Sequence, residues 1–163
     1  MVHLYEEYGE NALKKLNGKF VICIVDTLNE NVIIVNDRYG SINFYYIIED
    51  KGFIFTNHSK TVLSNIKDKA VDEEANEYFS NYGCIINNKT LLKNVKRLDS
   101  AIIIKINNGN ITINKYWDWN IKKLERITFD EVVDKLGELW IDAVKKIVSK
   151  HDKFNITITG GLD

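Results

Sequence analysis

The sequence lacks several features that would assign a protein to a broad functional class. Its formal net charge is −1 over 163 residues, which gives it no overall attraction to nucleic acid or to an anionic membrane. No apolar run approaches the roughly 18–20 residues that a bilayer-spanning helix needs. The amino-terminal stretch MVHLYEEYGE is acidic and amphipathic, which excludes a secretory signal peptide. These absences predict a protein with neither nucleic-acid nor membrane partners.

Residues that hold metals or carry nucleophilic chemistry are also scarce. The two cysteines, Cys23 and Cys84, have neither CxxC nor zinc-type spacing, and the histidines are scattered. Walker A, GxSxG and HExxH motifs are absent from the sequence. Cys23 lies in the apolar run FVICIV, which predicts a buried, reduced thiol and a cytoplasmic protein. Proline is absent as well, and the sequence offers no physical reason for that.

The chain does contain enough apolar sequence, 45%, to form a hydrophobic core. Gly9 and Gly18 predict the ends of two short helical segments within residues 2–16. Apolar, β-branched runs then predict four strands, and the short turns between them predict one antiparallel meander. The four predicted strands are 19–26, 32–37, 44–50 and 53–57. Helices are predicted at 59–67 and at 72–79, where Asp72 is a favourable N-cap.

A hairpin and a long helix are predicted next. Asn108-Gly109, between strands 100–107 and 110–117, is a strong hairpin signal. Farther along, Thr128 and Glu131 have the spacing of a capping box. The apolar residues after them are three and four apart, so they share one face of a long helix: Val132, Val133, Leu136, Trp140, Ala143, Val144 and Ile147. The polar stretch 118–127 predicts a domain boundary between the β-rich part and this helix.

The last segment, NITITGGLD, predicts a short strand that runs into a glycine turn. Glycines allow the backbone to approach an anion closely, with successive amides directed at it, as in phosphate-binding turns. A helix normally follows and adds its positive end. Taken alone the motif is weak, because a simple strand-ending turn is the commoner reading of such short matches.

Two aromatic stretches lack a residue pattern that is typical of catalysis. In NDRYGSINFYY (36–46), the adjacent Asp37 and Arg38 predict a structural ion pair, with aromatic residues packed in the core. In KYWDW (115–119), aromatic side chains at the end of a hairpin predict packing between elements, and a binding role is the minority reading.

Taken together, these motifs resemble glutamine-hydrolysing asparagine synthetases. The similar segments occur in the right order: the later part of the amidotransferase domain, its closing hairpin with Tyr116-Trp117, and the opening of the synthetase domain's pyrophosphate loop. The residues that carry the resemblance are Tyr8-Gly9-Glu10, Leu16-Asn17-Gly18, Phe20, Asp37-Arg38-Tyr39-Gly40, Tyr45-Tyr46 and the TGGLD segment. Agreement among so many local signals is far more specific than any one of them.

The resemblance implies an α+β fold. Residues 1–120 would form part of a class II glutamine amidotransferase domain, an incomplete αββα sandwich of the N-terminal-nucleophile type with antiparallel sheets. Residues 121–163 would contribute a linker, a helix and the first strand of an α/β ATP-pyrophosphatase domain. Since the family's nucleophilic Cys is amino-terminal, it would lie upstream of Met1. The resemblance therefore assigns no catalytic residue to this chain, neither Cys23 nor Cys84.

The resemblance also implies the ligands. The parent enzyme would use ATP and Mg²⁺ to activate aspartate as an acyl-adenylate, which ammonia from glutamine would attack. Thr159, Gly160, Gly161 and Asp163 would serve the phosphate and Mg²⁺ end of the ATP site, with Asp163 at the metal and Ile158 on the adenine side. Asp37 and Arg38 would be structural. A homodimer is compatible with this scheme, and the 163-residue chain alone is expected to be inactive.

Departures from the family pattern leave alternatives open. Ser41-Ile42-Asn43-Phe44 stands where the family usually has Lys-Pro-Leu, and Thr159 replaces the first Ser of the pyrophosphate loop. A divergent ligase acting on another carboxylate is one alternative, including a β-lactam-synthetase-like enzyme that does not use glutamine. A non-catalytic interaction module is the other.

Overall fold

The computed structural model describes residues 2–49, 52–120, 127–150, 152–158 and 160. Within them the chain divides into two compact units, Met1–Trp119 and Asn120–Asp163. The first unit begins with α1 (Val2–Tyr8) and α2 (Glu10–Lys14) and continues through seven strands and two further helices. The strands are β1 (Val21–Asp26), β2 (Asn31–Asn36), β3 (Tyr45–Glu49), β4 (Gly52–Thr56), β5 (Lys96–Arg97), β6 (Ile102–Asn107) and β7 (Asn110–Lys115). The helices between β4 and β5 are α3 (Ser59–Asn65) and α4 (Glu73–Tyr82).

The strands form two antiparallel sheets rather than the predicted meander. The first sheet has the order β1-β2-β6-β7, and the second has the order β4-β3-β5. β2 pairs with β1 and β6, whereas β3 pairs with β4 and β5. The meander prediction is wrong because the loop after β2 is fixed by Asp37, which accepts hydrogen bonds from Tyr39 and Ser41. This loop carries the chain from one sheet to the other.

Three hydrophobic clusters show how the layers pack. One joins the two sheets through Ile34, Ile104 and Tyr46. A second joins the first sheet to α2 through Ile33 and Leu13, and a third joins the second sheet to α3 through Ile47 and Val62. The order of layers is therefore helix, sheet, sheet, helix. The predicted α+β fold with two antiparallel sheets is confirmed.

Several local predictions are also confirmed. Asp72 caps α4 by accepting a hydrogen bond from the Ala75 N–H at 3.0 Å. Asn108 and Gly109 have φ values of 47° and 78°, as a tight hairpin between β6 and β7 requires. In each case the structure depends on residues that lie within a few positions of one another in the sequence.

The predicted burial of Cys23 is wrong, because its side chain is exposed. Alternation along β1 places Cys23 and Val25 on the same face as Val21, which packs in the cluster between the sheets. β1 is an edge strand of the first sheet, however, and Val25 is 66% exposed. The apolar run therefore identified a strand correctly but could not show which of its residues the second sheet covers.

The second unit contains α5 (Phe129–Val148). The predicted capping box is present: the Glu131 N–H donates to Thr128 Oγ1, and the Glu131 carboxylate accepts from the Thr128 N–H. The short strand predicted in NITITGGLD is not found in residues 152–158, and Thr159 lies outside the described residues. A strand needs a neighbouring strand to satisfy its backbone groups, and a β-branched run alone does not supply one. No described helix has the length and apolarity of a membrane span.

Candidate functional site

The residues predicted to bind ATP are described only in part. Thr159, Gly161 and Asp163 lie outside the described residues. Ile158 is 89% exposed, and Gly160 has a φ of 62° with no atom within 4 Å of the position that a Cβ would take. The arrangement of the five predicted residues therefore stays a prediction. Among the described residues, no cluster of three or more His, Cys, Asp or Glu side chains could hold a metal ion.

A different feature dominates the first unit, a pair of buried polar residues at the end of β2. Asn36 and Asp37 are the only polar or charged residues buried in the described chain, at 0% and 1% exposure. The Asn36 amide donates to the Asp99 carbonyl at 2.6 Å and accepts from the Ile102 N–H at 2.8 Å. The backbone carbonyl of Asn36 accepts a hydrogen bond from the Tyr116 hydroxyl at 2.7 Å. Asn36 thus ties the start of β6 and the end of β7 to β2.

Asp37 organises the loop that follows. Its carboxylate accepts hydrogen bonds from the N–H groups of Tyr39 at 3.0 Å and Phe20 at 3.3 Å. The Ser41 hydroxyl donates to it at 2.9 Å, and the Ser41 N–H donates at 3.1 Å. Burial acts to raise the pKa of Asp37, but these hydrogen bonds outweigh it and hold the pKa below its usual value. The carboxylate is therefore a charged structural anchor, with its oxygens already engaged.

Arg38 does not form the ion pair with Asp37 that the sequence predicted. No ion pair between these two side chains is found among the described residues, and the Arg38 Nη2 instead donates to the Lys14 carbonyl at 3.5 Å. The Asp37 oxygens face backbone donors on their own loop, which leaves no free site for the guanidinium. The Arg38 Nε is buried without a hydrogen-bond partner among the described groups. The Arg–Asp dipeptide was a misleading signal, because adjacency in sequence does not direct two side chains at each other.

Gly40 completes this loop. Its φ of 59° lies in the left-handed region, and a Cβ at this position would stand 3.3 Å from the Ser100 Cα. The Gly40 N–H donates to the Asp37 carbonyl at 3.1 Å, and the same carbonyl accepts from the Ala101 N–H at 3.0 Å. Glycine is required here both by backbone conformation and by the close approach of the segment before β6.

The loop presents Tyr39 to an aromatic cluster. The Tyr39 ring centroid lies 5.8 Å from those of Trp117 and Trp119, and the two Trp rings are 5.0 Å apart. The KYWDW segment therefore packs against the loop after β2, as its aromatic content predicted. Tyr39 and Trp119 are nevertheless 63% and 67% exposed. We call Tyr39, Trp117 and Trp119 the aromatic surface. The buried residues Asn36 and Asp37 hold the loop that carries Tyr39.

Cys23 lacks the character of an activated nucleophile. Although the Cys23 side chain is exposed, its apolar surroundings on β1 raise the pKa of its thiol by desolvation. A reactive thiol requires the opposite shift. Cys84 lies after α4, at a cleft of about 650 Å³ that Tyr45, Phe79 and Lys89 also line. The absence of a catalytic thiol from this chain stays a prediction.

Comparison with known proteins adds the family context. Residues 1–117 match the sequence model of a glutamine amidotransferase domain. The whole chain is 26% identical over 169 residues to a putative glutamine-hydrolysing asparagine synthetase 2 from Methanocaldococcus jannaschii, covering 32% of that protein. It is 26% identical over 165 residues to asparagine synthetase 3 from Bacillus subtilis, covering 27% of it, and 25% identical over 168 residues to the human asparagine synthetase, covering 29%. The chain thus spans about a third or less of the length of these relatives.

Proposed function

The chain belongs to the glutamine amidotransferase domain family, and from that membership we propose that it is part of a glutamine-hydrolysing asparagine synthetase. The parent protein would amidate aspartate in an ATP-dependent reaction through an acyl-adenylate, using ammonia released from glutamine. The observation that carries the proposal is the order of its parts. A 117-residue amidotransferase match comes first, and the similarity to asparagine synthetases extends over the whole chain, including the TGGLD segment after that match.

Under this proposal the two parts of the chain have different tasks. Residues 1–120 belong to the glutamine-hydrolysing domain, and residues 121–163 begin the ATP-pyrophosphatase domain. Thr159, Gly160, Gly161 and Asp163 would hold the phosphates and Mg²⁺, with Ile158 on the adenine side. The left-handed φ of Gly160 and the open space around it suit a turn that an anion approaches closely. ATP and its metal would supply carboxylate activation, and the chain's own contribution would be backbone N–H donors and one carboxylate.

The structure gives the Ser41 departure from the family pattern a local explanation. The Ser41 hydroxyl and N–H both donate to Asp37, so this residue helps to hold the loop after β2. A substitution that serves loop geometry is no evidence for a different acceptor carboxylate. We therefore propose aspartate as the acceptor, in a cytoplasmic enzyme that is compatible with a homodimeric state.

The test is an assay of the complete reading frame that contains these residues. With glutamine, aspartate and ATP, the purified protein is expected to form asparagine, glutamate, AMP and pyrophosphate. Asp163→Asn should abolish asparagine formation and leave glutamine hydrolysis largely intact, because it alters only the proposed metal and phosphate end. Asp152→Asn, an exposed carboxylate nearby in sequence, is the matched control. Amidation of another carboxylate in preference to aspartate would contradict the proposal.

A second experiment concerns the 163-residue chain itself. Since it has no catalytic cysteine under this proposal, it should release no glutamate from glutamine above the rate of a buffer control. Cys23→Ser and Cys84→Ser should leave that result unchanged. Turnover of glutamine by the chain, lost in either cysteine variant, would overturn the assignment of catalysis to residues outside it.

A further inference from the structure

The chain contains two Asn-Gly dipeptides, and the structure places them in different surroundings. Asn17-Gly18 lies between α2 and β1, and Asn108-Gly109 forms the turn between β6 and β7. A glycine after an asparagine has no Cβ to hinder its backbone nitrogen, so that nitrogen can attack the asparagine side-chain amide. The two dipeptides therefore share one intrinsic reactivity, and their folded surroundings decide how far each expresses it.

The hairpin turn keeps Asn108-Gly109 from this reaction. The residues on either side, Asn107 and Asn110, pair across β6 and β7, and the φ values of 47° and 78° within the turn are those of type I′. In such a turn the ψ of the first central residue is about 30°. At this angle the Gly109 nitrogen lies on the opposite side of the Cα–C bond from the Asn108 side chain. The two groups therefore cannot meet unless the end of the hairpin opens.

Asn17-Gly18 is not constrained in this way. Residues 17–19 belong to no helix or strand, and within the described part of the chain their backbone N–H groups donate to no other backbone group. Asn17 is exposed, and a Cβ placed on Gly18 would have no atom within 4 Å. Rotation about the Asn17 Cα–C bond therefore breaks no backbone hydrogen bond of this segment and meets open space at Gly18.

The charges near Asn17 also favour attack by the Gly18 nitrogen. This attack requires the Gly18 N–H to lose its proton, and positive charges nearby stabilise the resulting anion. Three exposed lysines lie within three positions of Asn17 in the sequence: Lys14, Lys15 and Lys19. The residues that flank the hairpin dipeptide are both asparagines and carry no charge. Electrostatics therefore adds to the difference that the backbone creates.

We propose that Asn17 is a site of spontaneous deamidation in the folded protein, and that the hairpin turn protects Asn108 from the same reaction. The proposal combines the shared reactivity of the two dipeptides with the freedom of the segment between α2 and β1. This inference does not depend on the proposed function.

The reaction needs water as its one co-reactant. The deprotonated Gly18 nitrogen forms a bond to the Asn17 Cγ, the Cγ–NH₂ bond breaks, and the amide nitrogen takes up a proton and leaves as ammonia. The product is a five-membered succinimide ring. Water then opens the ring at Cγ, which gives an aspartate, or at the main-chain carbonyl, which gives an isoaspartate whose backbone runs through the former side chain. No group is oxidised or reduced.

The modified residue would lie beside contacts that hold the first unit together. Leu16 packs in the cluster between α2 and the first sheet. The Phe20 N–H donates to the Asp37 carboxylate at 3.3 Å, and the Phe20 carbonyl accepts from the Asp37 N–H at 3.0 Å. An isoaspartate at position 17 lengthens the main chain between Leu16 and Phe20 and adds a negative charge. It should therefore loosen the two hydrogen bonds between Phe20 and Asp37.

Peptide mapping by mass spectrometry measures both sites in one sample. The 163-residue chain is incubated in neutral buffer and digested at intervals. Deamidation replaces an amino group by a hydroxyl group, so the mass of each peptide reports its own site, and electron-transfer fragmentation identifies isoaspartate. Asn17 should be converted about tenfold or more faster than Asn108, because ring closure at Asn108 waits for local opening of the hairpin.

The unfolded chain is the matched control. In concentrated urea both dipeptides lose their folded surroundings, so the two rates should become similar. Asn17→Gln should stop conversion at that position, since its longer side chain closes a ring far more slowly, and should leave the rate at Asn108 unchanged. Asn11, exposed on α2 and followed by Ala12, is an internal control and should stay intact over the same period.

The isoaspartate form tests the structural consequence. Its additional negative charge allows ion-exchange chromatography to separate it from the starting protein. Hydrogen exchange at the Phe20 and Asp37 amides should be faster in this form. Exchange at the Ala75 amide, which Asp72 caps at the start of α4, should be unchanged.

Three results would overturn the proposal. The first is conversion of Asn17 that is no faster than that of Asn108 in the folded chain. The second is a ratio of the two rates that stays the same in urea, which would assign the difference to local sequence and not to the fold. The third is unchanged exchange at Phe20 and Asp37 in the isoaspartate form, which would show that the modification does not reach the loop after β2.

Discussion

The two units of the chain are held together in different ways. In the first unit, the stabilising contacts join residues that are far apart in sequence: Asn36 bonds to Asp99, Ile102 and Tyr116. In the second unit, the contacts of α5 are local, with the Thr128–Glu131 capping box at one end and the Asp142–Lys146 ion pair along the helix. None of the α5 residues is buried. The sandwich therefore depends on tertiary packing, whereas α5 is specified by neighbouring residues.

Removing the buried carboxylate of Asp37 tests this difference between the two units most directly. Asp37→Ala should leave up to four donors without their partner and lower the free energy of unfolding by about 4 kcal/mol. Urea denaturation followed by tryptophan fluorescence measures the loss. Asp118→Ala, at an exposed position near the same surface, is the control and should cost much less. Equal effects of the two substitutions would show that the buried hydrogen bonds are not the source of stability.

The contribution of Asp37 also depends on pH. Because the pKa of Asp37 is lower in the folded protein than in the unfolded chain, its stabilisation is present above the unfolded pKa of about 3.9. It is lost as the pH falls through the lower, folded value. As the pH is lowered from 6 to below the folded pKa, the difference in unfolding free energy between the wild type and Asp37→Asn should therefore hold until about pH 4 and then shrink. A difference that stays constant over the same interval would contradict the depressed pKa.

A core substitution extends the comparison to apolar contacts. Ile34→Ala, at a fully buried position between the sheets, should cost about 3 kcal/mol through lost burial and a residual cavity. Ile141→Ala in α5 changes the same side chain where it is 54% exposed, and alanine is the better helix former. It should change stability by less than about 0.5 kcal/mol. A large cost at Ile141 would mean that α5 is covered in solution.

Glycine substitutions separate backbone strain from crowding. Gly40→Ala should cost about 2 kcal/mol, since it combines a φ of 59° with a contact of 3.3 Å to the Ser100 Cα. Gly83→Ala has a similar left-handed φ, 69°, but no atom within 4 Å, so its cost should be about 1 kcal/mol. Thermal unfolding of the two variants gives the difference. If both lose the same stability, the close approach at Ser100 contributes nothing.

The smallest expected effect lies in the second unit. Thr128→Ala should weaken the start of α5 by about 1 kcal/mol, because it removes the acceptor for the Glu131 N–H. Faster hydrogen exchange at the first-turn amides of α5 measures this change. Thr128→Ser retains the hydroxyl and should exchange at nearly the wild-type rate. Unchanged exchange in Thr128→Ala would indicate that packing, and not the cap, holds the helix end.

The same difference between local and distant contacts explains what the sequence could predict. The cap at Asp72, the capping box at Thr128 and the Asn108-Gly109 turn depend on residues within a few positions of one another, and all three are confirmed. The pairing of β2 with β6, and not with β3, depends on Asn36 and Asp37 meeting segments more than 60 positions away. An asparagine at a strand end gives no sign of that partner. The exposure of Cys23 likewise depends on which strands the second sheet places opposite β1.

The long sequence separation of the Asn36 hydrogen bonds affects when the chain can fold during synthesis. Its partners lie 63, 66 and 80 residues downstream, so the junction cannot close until the chain through Tyr116 has emerged from the ribosome. Until then, the side-chain amide and the backbone carbonyl of Asn36 lack these partners, and the apolar faces of β1 and β2 are not covered by the later strands. Contacts of such long sequence separation slow folding, because the intervening chain must close first. The hairpin of β1 and β2 is therefore expected to stay incompletely packed during synthesis until the residues around β6 and β7 follow.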